Sequence, residues 1–202
     1  MFIRIKHIKQ QPYAYKVRNK WTKKGTRQKT AGYLGRVFYL NPVKDLTFEE
    51  FIHNEFNQDL TDYMKSSSSR VVIQDLVRFE LIKQGFIYKG KNRNILLYLP
   101  NMTPKKPKKG NKVKSETLIK VELAQSFLNI TNVKKPIVLA LNNDFLCNYT
   151  LRKLMRFKSF SSEEECGREL ARVFIAAGIH IVPSLFVEVF QKVYSRGGSY
   201  VK

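Results

Sequence analysis

Apolar and polar residues alternate over the first 40 positions with the two-residue period of half-buried strands. In the first segment Ile3 and Ile5 fall on one face, and the basic residues beside them fall on the other. The alternation recurs over residues 13–21 and again from residue 27, with turn signals between the segments. We therefore predict a small antiparallel sheet over residues 1–40, with aliphatic and aromatic residues on one face and Lys and Arg on the other.

The middle of the chain changes to helical periodicity. Thr47 and Glu50 have the spacing of a capping box, and the apolar residues that follow, as far as Leu60, recur every three or four positions. This predicts an acidic amphipathic helix, and a second helix is predicted over residues 71–84. Two short apolar runs then flank a basic turn at residues 89–94. This order is similar to the second half of a winged helix, and a plain helix followed by a hairpin fits it too.

Residues 101–115 contain lysine and proline but no acid, which predicts a linker or an exposed loop. Beyond this segment, apolar spacing predicts helices over residues 116–128, 150–157, 163–177 and after Pro183. The chain is therefore predicted to be an α+β protein with four parts. These are a basic sheet module plus acidic helix at 1–64, a wing-like helix and hairpin at 65–100, the linker at 101–115 and a helical domain at 116–202.

Charge extends the prediction from fold to function. The chain carries a formal net charge of +21, and its first 44 residues contain twelve Lys or Arg and no acid. Such a surface repels itself unless a polyanion neutralises it, and nucleic acid is the commonest cellular polyanion. The residues predicted to bind nucleic acid are Arg4, Lys6, Lys16, Arg18, Lys20, Trp21, Lys23, Lys24, Arg27, Lys29, Arg36, Lys89, Lys91, Arg93, Lys105, Lys106, Lys108, Lys109, Arg152, Lys153 and Arg156.

Three binding functions fit these residues. We favour structured RNA or a ribosomal subunit as the partner, because the basic residues lie in several separate segments and are interleaved with aromatic residues that can stack on unpaired bases. Trp21 is one such aromatic residue, although a core tryptophan that covers the sheet fits the pattern as well. The alternatives are a DNA-binding regulator or mobile-element module, and an interaction protein that forms a homodimer through its C-terminal helices or its acidic helix.

The sequence lacks recognisable catalytic and metal-binding patterns. Three histidines, His7, His53 and His180, lie in unrelated segments, and Cys147 and Cys166 form neither a disulfide framework nor a CxxC pair. We therefore predict no enzymatic activity, no metal and no cofactor. No apolar run approaches the ~20 residues of a membrane span, and the N-terminus lacks the apolar stretch of a signal peptide, so the expected location is the cytoplasm without membrane contact.

The first 37 residues contain three motifs: F-I-R-x-K at Phe2–Lys6, Y-x-Y-x-V at Tyr13–Val17, and R-Q-x-x-x-x-Y-L-G within Arg27–Val37. Together they resemble the N-terminal β module of prokaryotic DDE-type insertion-sequence transposases. The resemblance implies a small β module that binds nucleic acid. It implies no transposition chemistry, because the large catalytic core with three spaced carboxylates is missing. In outline the chain is also similar to small basic archaeal proteins that associate with ribosomes or nucleic acid.

Overall fold

The computed structural model describes residues 1–23, 25–99, 118–124, 128–158 and 162–197. These ranges contain both helices and strands, which confirms the predicted mixture of α and β structure. The predicted linker at residues 101–115 lies outside the described residues. The elements are β1 Phe2–Ile8, β2 Gln11–Thr22, β3 Gly25–Tyr39, α1 Phe48–Phe56, α2 Leu60–Ser66, α3 Ser69–Lys83, β4 Ile87–Lys89, β5 Asn92–Tyr98, β6 Ile119–Leu123, β7 Leu128–Asn132, β8 Lys135–Leu141, β9 Asp144–Cys147, α4 Asn148–Met155, α5 Glu163–Ala176 and α6 Pro183–Gly197.

Two compact units divide the chain, and each is assembled from segments that are distant in sequence. The sheet unit comprises Met1–Leu40, Phe86–Ala140 and Cys147–Tyr149. The helical unit comprises Asn41–Gly85, Leu141–Leu146 and Thr150–Lys202. The N-terminal strands β1–β3 therefore belong to the same unit as β4–β8, although the helices α1–α3 separate them along the chain.

In the described part of the sheet unit, eight strands lie in the order β1, β2, β3, β8, β7, β6, β5, β4. Neighbouring strands are antiparallel except β3 and β8, which are parallel and pair Arg36–Tyr39 with Ile137–Ala140. The central strands supply the core, because alternate residues such as Ile119, Val121 and Ile130 are completely buried. The hairpins of β1–β3 are thus joined to the edge of a well-packed sheet.

The helix predicted over residues 116–128 is wrong, because the described part of this segment forms β6 and ends at the first residue of β7. Ile119, Val121 and Leu123 point into the core while the residues between them are partly exposed, which is the period of a strand. A two-residue turn at Val133 and Lys134, with φ of 46° and 64°, joins β7 to β8. Such turns favour Asn and Gly, so this one had no signal in the sequence. Among its described residues, the predicted helical C-terminal part therefore begins with strands, and its helices are α4, α5 and α6.

The helical unit is built around α3, in which every residue from Val72 to Ile82 is buried. The predicted capping box is confirmed, since the Thr47 side chain accepts from the Glu50 N–H and Glu50 Oε2 accepts from the Thr47 N–H at 2.8 Å. The α1 helix that it begins packs Phe48 against Phe79 of α3, with ring centroids 5.5 Å apart. This helix is shorter than predicted, because Asn57 adopts a left-handed conformation and a new helix, α2, starts at Leu60.

The helical unit contains a buried polar cluster of Tyr63, Asp75 and Arg78. Tyr63 Oη donates a hydrogen bond of 2.6 Å to Asp75 Oδ2, and Arg78 pairs with the same carboxylate. Burial, together with the neighbouring Asp75 charge, raises the pKa of Tyr63 above its ordinary value of 10.0. The hydroxyl therefore keeps its proton at neutral pH and remains a hydrogen-bond donor.

The last helix, α6, was one of the surfaces predicted to mediate dimerisation. Two residues of its apolar face, Leu185 and Val189, are 3% and 0% exposed, so they already pack within the chain. Among the described residues, no helix is both long enough and apolar enough to cross a membrane.

Candidate nucleic-acid interface

The strand register places basic residues of β1 beside aromatic residues of β2. Arg4 pairs with Tyr15 and Lys6 pairs with Tyr13. Directly opposed residues of an antiparallel pair share one face of the sheet. On β3, Tyr33 is opposite Tyr15, and Arg36 is opposite Tyr13. We call this surface the tyrosine face, and its members are Arg4, Lys6, Tyr13, Tyr15, Tyr33 and Arg36.

The predicted separation of an aromatic face from a basic face is therefore wrong. The alternation itself holds in β1, where Arg4 and Lys6 lie on the face opposite to Ile3 and Ile5. The error lies in the phase between strands, which the β1–β2 turn determines. The turn falls at Lys9 and Gln10, and it brings the basic side of β1 to the aromatic side of β2.

Aromatic rings and cations are in contact on the tyrosine face. The Tyr33 ring lies 5.4 Å from that of Tyr15 and 6.3 Å from that of Tyr13, measured between centroids. Lys6 Nζ lies 5.1 Å from the centroid of Tyr15. Partial burial, with smaller effects from Tyr13 and Tyr15, raises the pKa of Tyr33, so its hydroxyl is neutral at physiological pH. The face therefore combines flat apolar rings, neutral hydroxyl groups and positive charge.

Gly35 allows β3 to run close beside β8. Its φ is +138°, and a Cβ atom there would overlap the Pro136 carbonyl oxygen and lie 2.7 Å from the Ile137 Cα atom. Only glycine accommodates both the conformation and the close approach. The residue that follows, Arg36, is thereby held next to the first residues of β8, and its guanidinium lies 5.1 Å from the centroid of Phe38.

Beyond the end of β1, the β2–β3 hairpin continues as a two-stranded ribbon. Residues 18–22 pair with residues 25–29, whereas the last pair between β1 and β2 is Phe2 with Val17. We call these two segments the basic ribbon. Their side chains are exposed throughout. Within the described ranges no further strand pairs with this ribbon, and its side chains are exposed on both faces.

Like charges face each other across the basic ribbon. Arg18 is opposite Lys29, and Lys20 is opposite Arg27. Directly opposed like charges destabilise a strand pair, and the first 44 residues contain no carboxylate that could compensate them. The four cations thus form a compact positive surface whose charge is not neutralised by neighbouring residues in the sequence.

The other side of the basic ribbon carries Trp21. This side chain is 81% exposed, so the core interpretation of Trp21 is wrong. It alternates along β2 in phase with Tyr13 and Tyr15, which places it on the same side as the tyrosine face. Arg4 Nη1 donates a hydrogen bond of 2.6 Å to Gln28 Oε1 on this side and links the ribbon to β1.

No protein-family model, curated protein or solved structure matches the chain. The resemblance of residues 2–37 to the transposase β module therefore stays a prediction. Within the described ranges, no three His, Cys, Asp or Glu side chains lie close enough together to hold a metal ion.

The remaining predicted residues do not join the tyrosine face. Lys16 is half-buried on the opposite side of β2, where its Nζ lies 4.2 Å from the centroid of Tyr149. Lys89, Lys91 and Arg93 belong to the β4–β5 hairpin, which β8, β7 and β6 separate from β3 in the sheet order. The structure therefore distributes the predicted basic residues over more than one surface of the sheet unit.

Other predicted residues lie at the ribbon tip, in the helical unit or outside the described ranges. Lys23 is exposed at the tip of the basic ribbon. Arg152, Lys153 and Arg156 are exposed on α4 and just after it, in the helical unit. The residues outside the described ranges are Lys24, Lys105, Lys106, Lys108 and Lys109.

The sequence prediction omitted the aromatic residues of the tyrosine face and Lys135 of β8. The alternation predicts that Tyr13, Tyr15 and Tyr33 lie on an apolar face rather than on a binding surface. The sequence does contain a signal for Tyr13 and Tyr15. A turn at Lys9 and Gln10 places Lys6 opposite Tyr13 and Arg4 opposite Tyr15. Lys135 had no such signal, since its position depends on the unpredicted β7–β8 turn.

Proposed function

We propose that this protein binds structured RNA or a ribosomal subunit, and that it catalyses no reaction. The observation that supports this best is the basic ribbon, on which two pairs of like charges are opposed and exposed. Phosphate groups of an RNA backbone would neutralise these charges and release condensed counterions, a strong and salt-dependent source of affinity.

The aromatic residues favour RNA over a uniform double helix. Trp21 is 81% exposed and Tyr33 is 53% exposed, on the same side of the β2–β3 hairpin. Exposed aromatic rings next to cations are typical of surfaces that stack unpaired bases. Structured RNA offers such bases in loops and bulges, and it presents phosphates in several directions. The separate basic groups at residues 89–93 and 152–156 suit a partner of this kind.

A second candidate function is DNA binding. A two-stranded ribbon fits the major groove of B-DNA, and the β4–β5 hairpin with Lys89, Lys91 and Arg93 could follow the backbone as a wing does. The burial of α3 from Val72 to Ile82 is unfavourable to a full winged-helix mode, because a recognition helix needs an exposed face to enter the groove. We therefore rank this function second.

A competition experiment separates the two functions. The protein is bound to labelled ribosomal RNA, and unlabelled ribosomal RNA or duplex DNA is added at equal nucleotide concentration. We expect RNA to displace the label at a concentration at least tenfold lower than DNA. Displacement by duplex DNA at an equal or lower concentration would favour the second function, and failure to bind either polymer would contradict both.

A further inference from the structure

A pocket of about 490 Å³ opens in the sheet unit where β3 meets the β7–β8 turn. Its aromatic lining includes Tyr13, Tyr33 and Phe38, and its cationic lining includes Arg36 and Lys135. The volume is in the range of pockets that hold small organic ligands. The pocket is thus a concave part of the tyrosine face, since Tyr13, Tyr33 and Arg36 line it.

The pocket lining suits a flat, polar ring with an anionic substituent. The Tyr13 and Tyr33 rings are inclined at 42° with centroids 6.3 Å apart, so they form an open angular wall rather than a closed stack. Their hydroxyl groups can donate to and accept from the edge of a heterocycle. Arg36 is positioned by its contact with Phe38, and Lys135 is exposed at the start of β8. Both cations can reach an anion at the pocket mouth.

The turn beside this pocket has an unfavourable backbone conformation. Val133 has a φ of 46°, a value that β-branched residues rarely adopt, and its side chain is 51% exposed next to the pocket. Strained residues of this kind are concentrated at binding sites, where the surrounding structure maintains them. The turn directs Lys135 and Pro136 to the pocket, and Gly35 lets them approach β3.

We propose that this pocket receives a single unpaired nucleobase of the bound RNA, with Tyr13 and Tyr33 against its ring and with Arg36 and Lys135 on the neighbouring phosphates. The inference rests on the proposed function and adds a specific role to it. The basic ribbon supplies affinity for any RNA backbone, whereas the pocket selects RNA that can turn a base out of the helix. Base–aromatic stacking of this type accepts every base, so the selection is for structure rather than for sequence.

Two RNA hairpins that differ only by a one-nucleotide bulge provide the test. The bulged nucleotide is 2-aminopurine, whose fluorescence responds to stacking. We expect the protein to bind the bulged hairpin about tenfold more tightly than the paired hairpin and to change the fluorescence of the bulge. Tyr33→Leu should abolish this preference, so that the two hairpins bind with equal affinity. Tyr39→Leu is the matched control, because Tyr39 is an exposed tyrosine of the same strand and does not line the pocket.

The outcomes distinguish the inference from the proposed function. Equal binding of both hairpins with unchanged fluorescence would overturn the base pocket while RNA binding stands. An equal loss of preference in Tyr39→Leu would also overturn it. Binding of neither hairpin would contradict the proposed function itself. If circular dichroism shows that Tyr33→Leu is unfolded, Lys135→Gln serves instead, and it should reduce the preference several-fold.

Discussion

The cations of the basic ribbon and the charged residues of α3 are arranged in opposite ways. In α3, Asp75 is completely buried, accepts a hydrogen bond from Tyr63 and pairs with Arg78. In the ribbon, Arg18 and Lys29 are exposed, and each faces another cation across the strand pair. Buried charge is tolerated in a protein only when partners compensate for lost hydration. Exposed charge needs no partner for folding, and it remains available for one.

The charged residues of α3 therefore stabilise the fold, whereas the cations of the basic ribbon are exposed and can bind a ligand. Changes to the α3 group should therefore affect unfolding and leave nucleic-acid binding alone. Changes to the ribbon should affect binding and leave the fold alone, or even stabilise it. Each of the following variants tests one side of that division.

Neutralising the basic ribbon should have the largest effect. A variant with Arg18, Lys20, Arg27 and Lys29 all changed to Gln removes four phosphate contacts and should lower affinity for structured RNA by a hundredfold to a thousandfold, about 3–4 kcal/mol of binding free energy. A filter-binding titration at 0.1 M salt measures this loss.

The matched control changes four cations that have carboxylate partners within the chain. These are Lys65, Lys120, Arg168 and Arg172, which pair with Asp62, Glu122, Glu164 and Glu169. Both variants lose the same net charge, so a difference between them reports on position rather than on total charge. Equal losses of affinity would show that the ribbon cations contribute only their charge and that their position does not matter for binding.

Asp75→Asn should have the next largest effect, and on stability alone. The substitution removes the charge that compensates buried Arg78, and breaking such a pair from one side costs about 3 kcal/mol. Urea denaturation should show this loss in the free energy of unfolding. The salt dependence of RNA binding in the folded variant should match that of the wild type, and a changed dependence would contradict the division of roles.

Tyr63→Phe should cost less, about 1–2 kcal/mol, because it deletes one hydrogen bond and retains the ion pair. The pKa of Tyr63 is raised in the folded state, so its stabilisation is present below pH 10 and is lost as pH rises above the unfolded tyrosine value of 10.0. The difference in unfolding free energy between wild type and variant should therefore shrink in urea titrations above pH 10. A difference that stays constant there would contradict this account.

The smallest predicted effect is a gain in stability of the ribbon-neutralised variant without RNA. Relief of two like-charge pairs should raise the free energy of unfolding by about 0.5–1 kcal/mol. The control variant loses ion pairs instead and should gain nothing. Thermal unfolding at low salt measures both, and destabilisation of the ribbon variant would show that its cations have partners within the fold.

Local signals in the sequence predicted much of this structure. The period of β1 and β2, the Thr47 capping box and the helices α3 to α6 follow from residues that are neighbours in the chain. The sequence does not predict that the ribbon side chains are exposed. Alternation of apolar and polar residues does not show where the neighbouring strand, β1, ends. Trp21 illustrates this, since it has the pattern of a core residue but lies beyond the end of β1.

Features that depend on distant pairing were the ones missed. The apolar residues of β6, such as Ile119 and Val121, fit both periods over a short segment, and the sequence therefore predicts a helix where the structure has a strand. The parallel pairing of β3 with β8 joins residues that are about one hundred positions apart, and the need for Gly35 appears only when Pro136 is beside it. The candidate pocket depends on the β3–β8 pairing and on Gly35. The sequence pattern therefore predicts the residue types of the pocket but not that they lie close together.

The salt dependence of RNA affinity tests the central claim most directly. Log affinity is plotted against log salt concentration for the wild type, the ribbon-neutralised variant and the control variant. With about six phosphates contacted, the wild-type slope should be about −4, and loss of four contacts should reduce its magnitude by about 3. The account predicts a shallow slope for the ribbon variant and an unchanged one for the control. Equal slopes for all three proteins would contradict it.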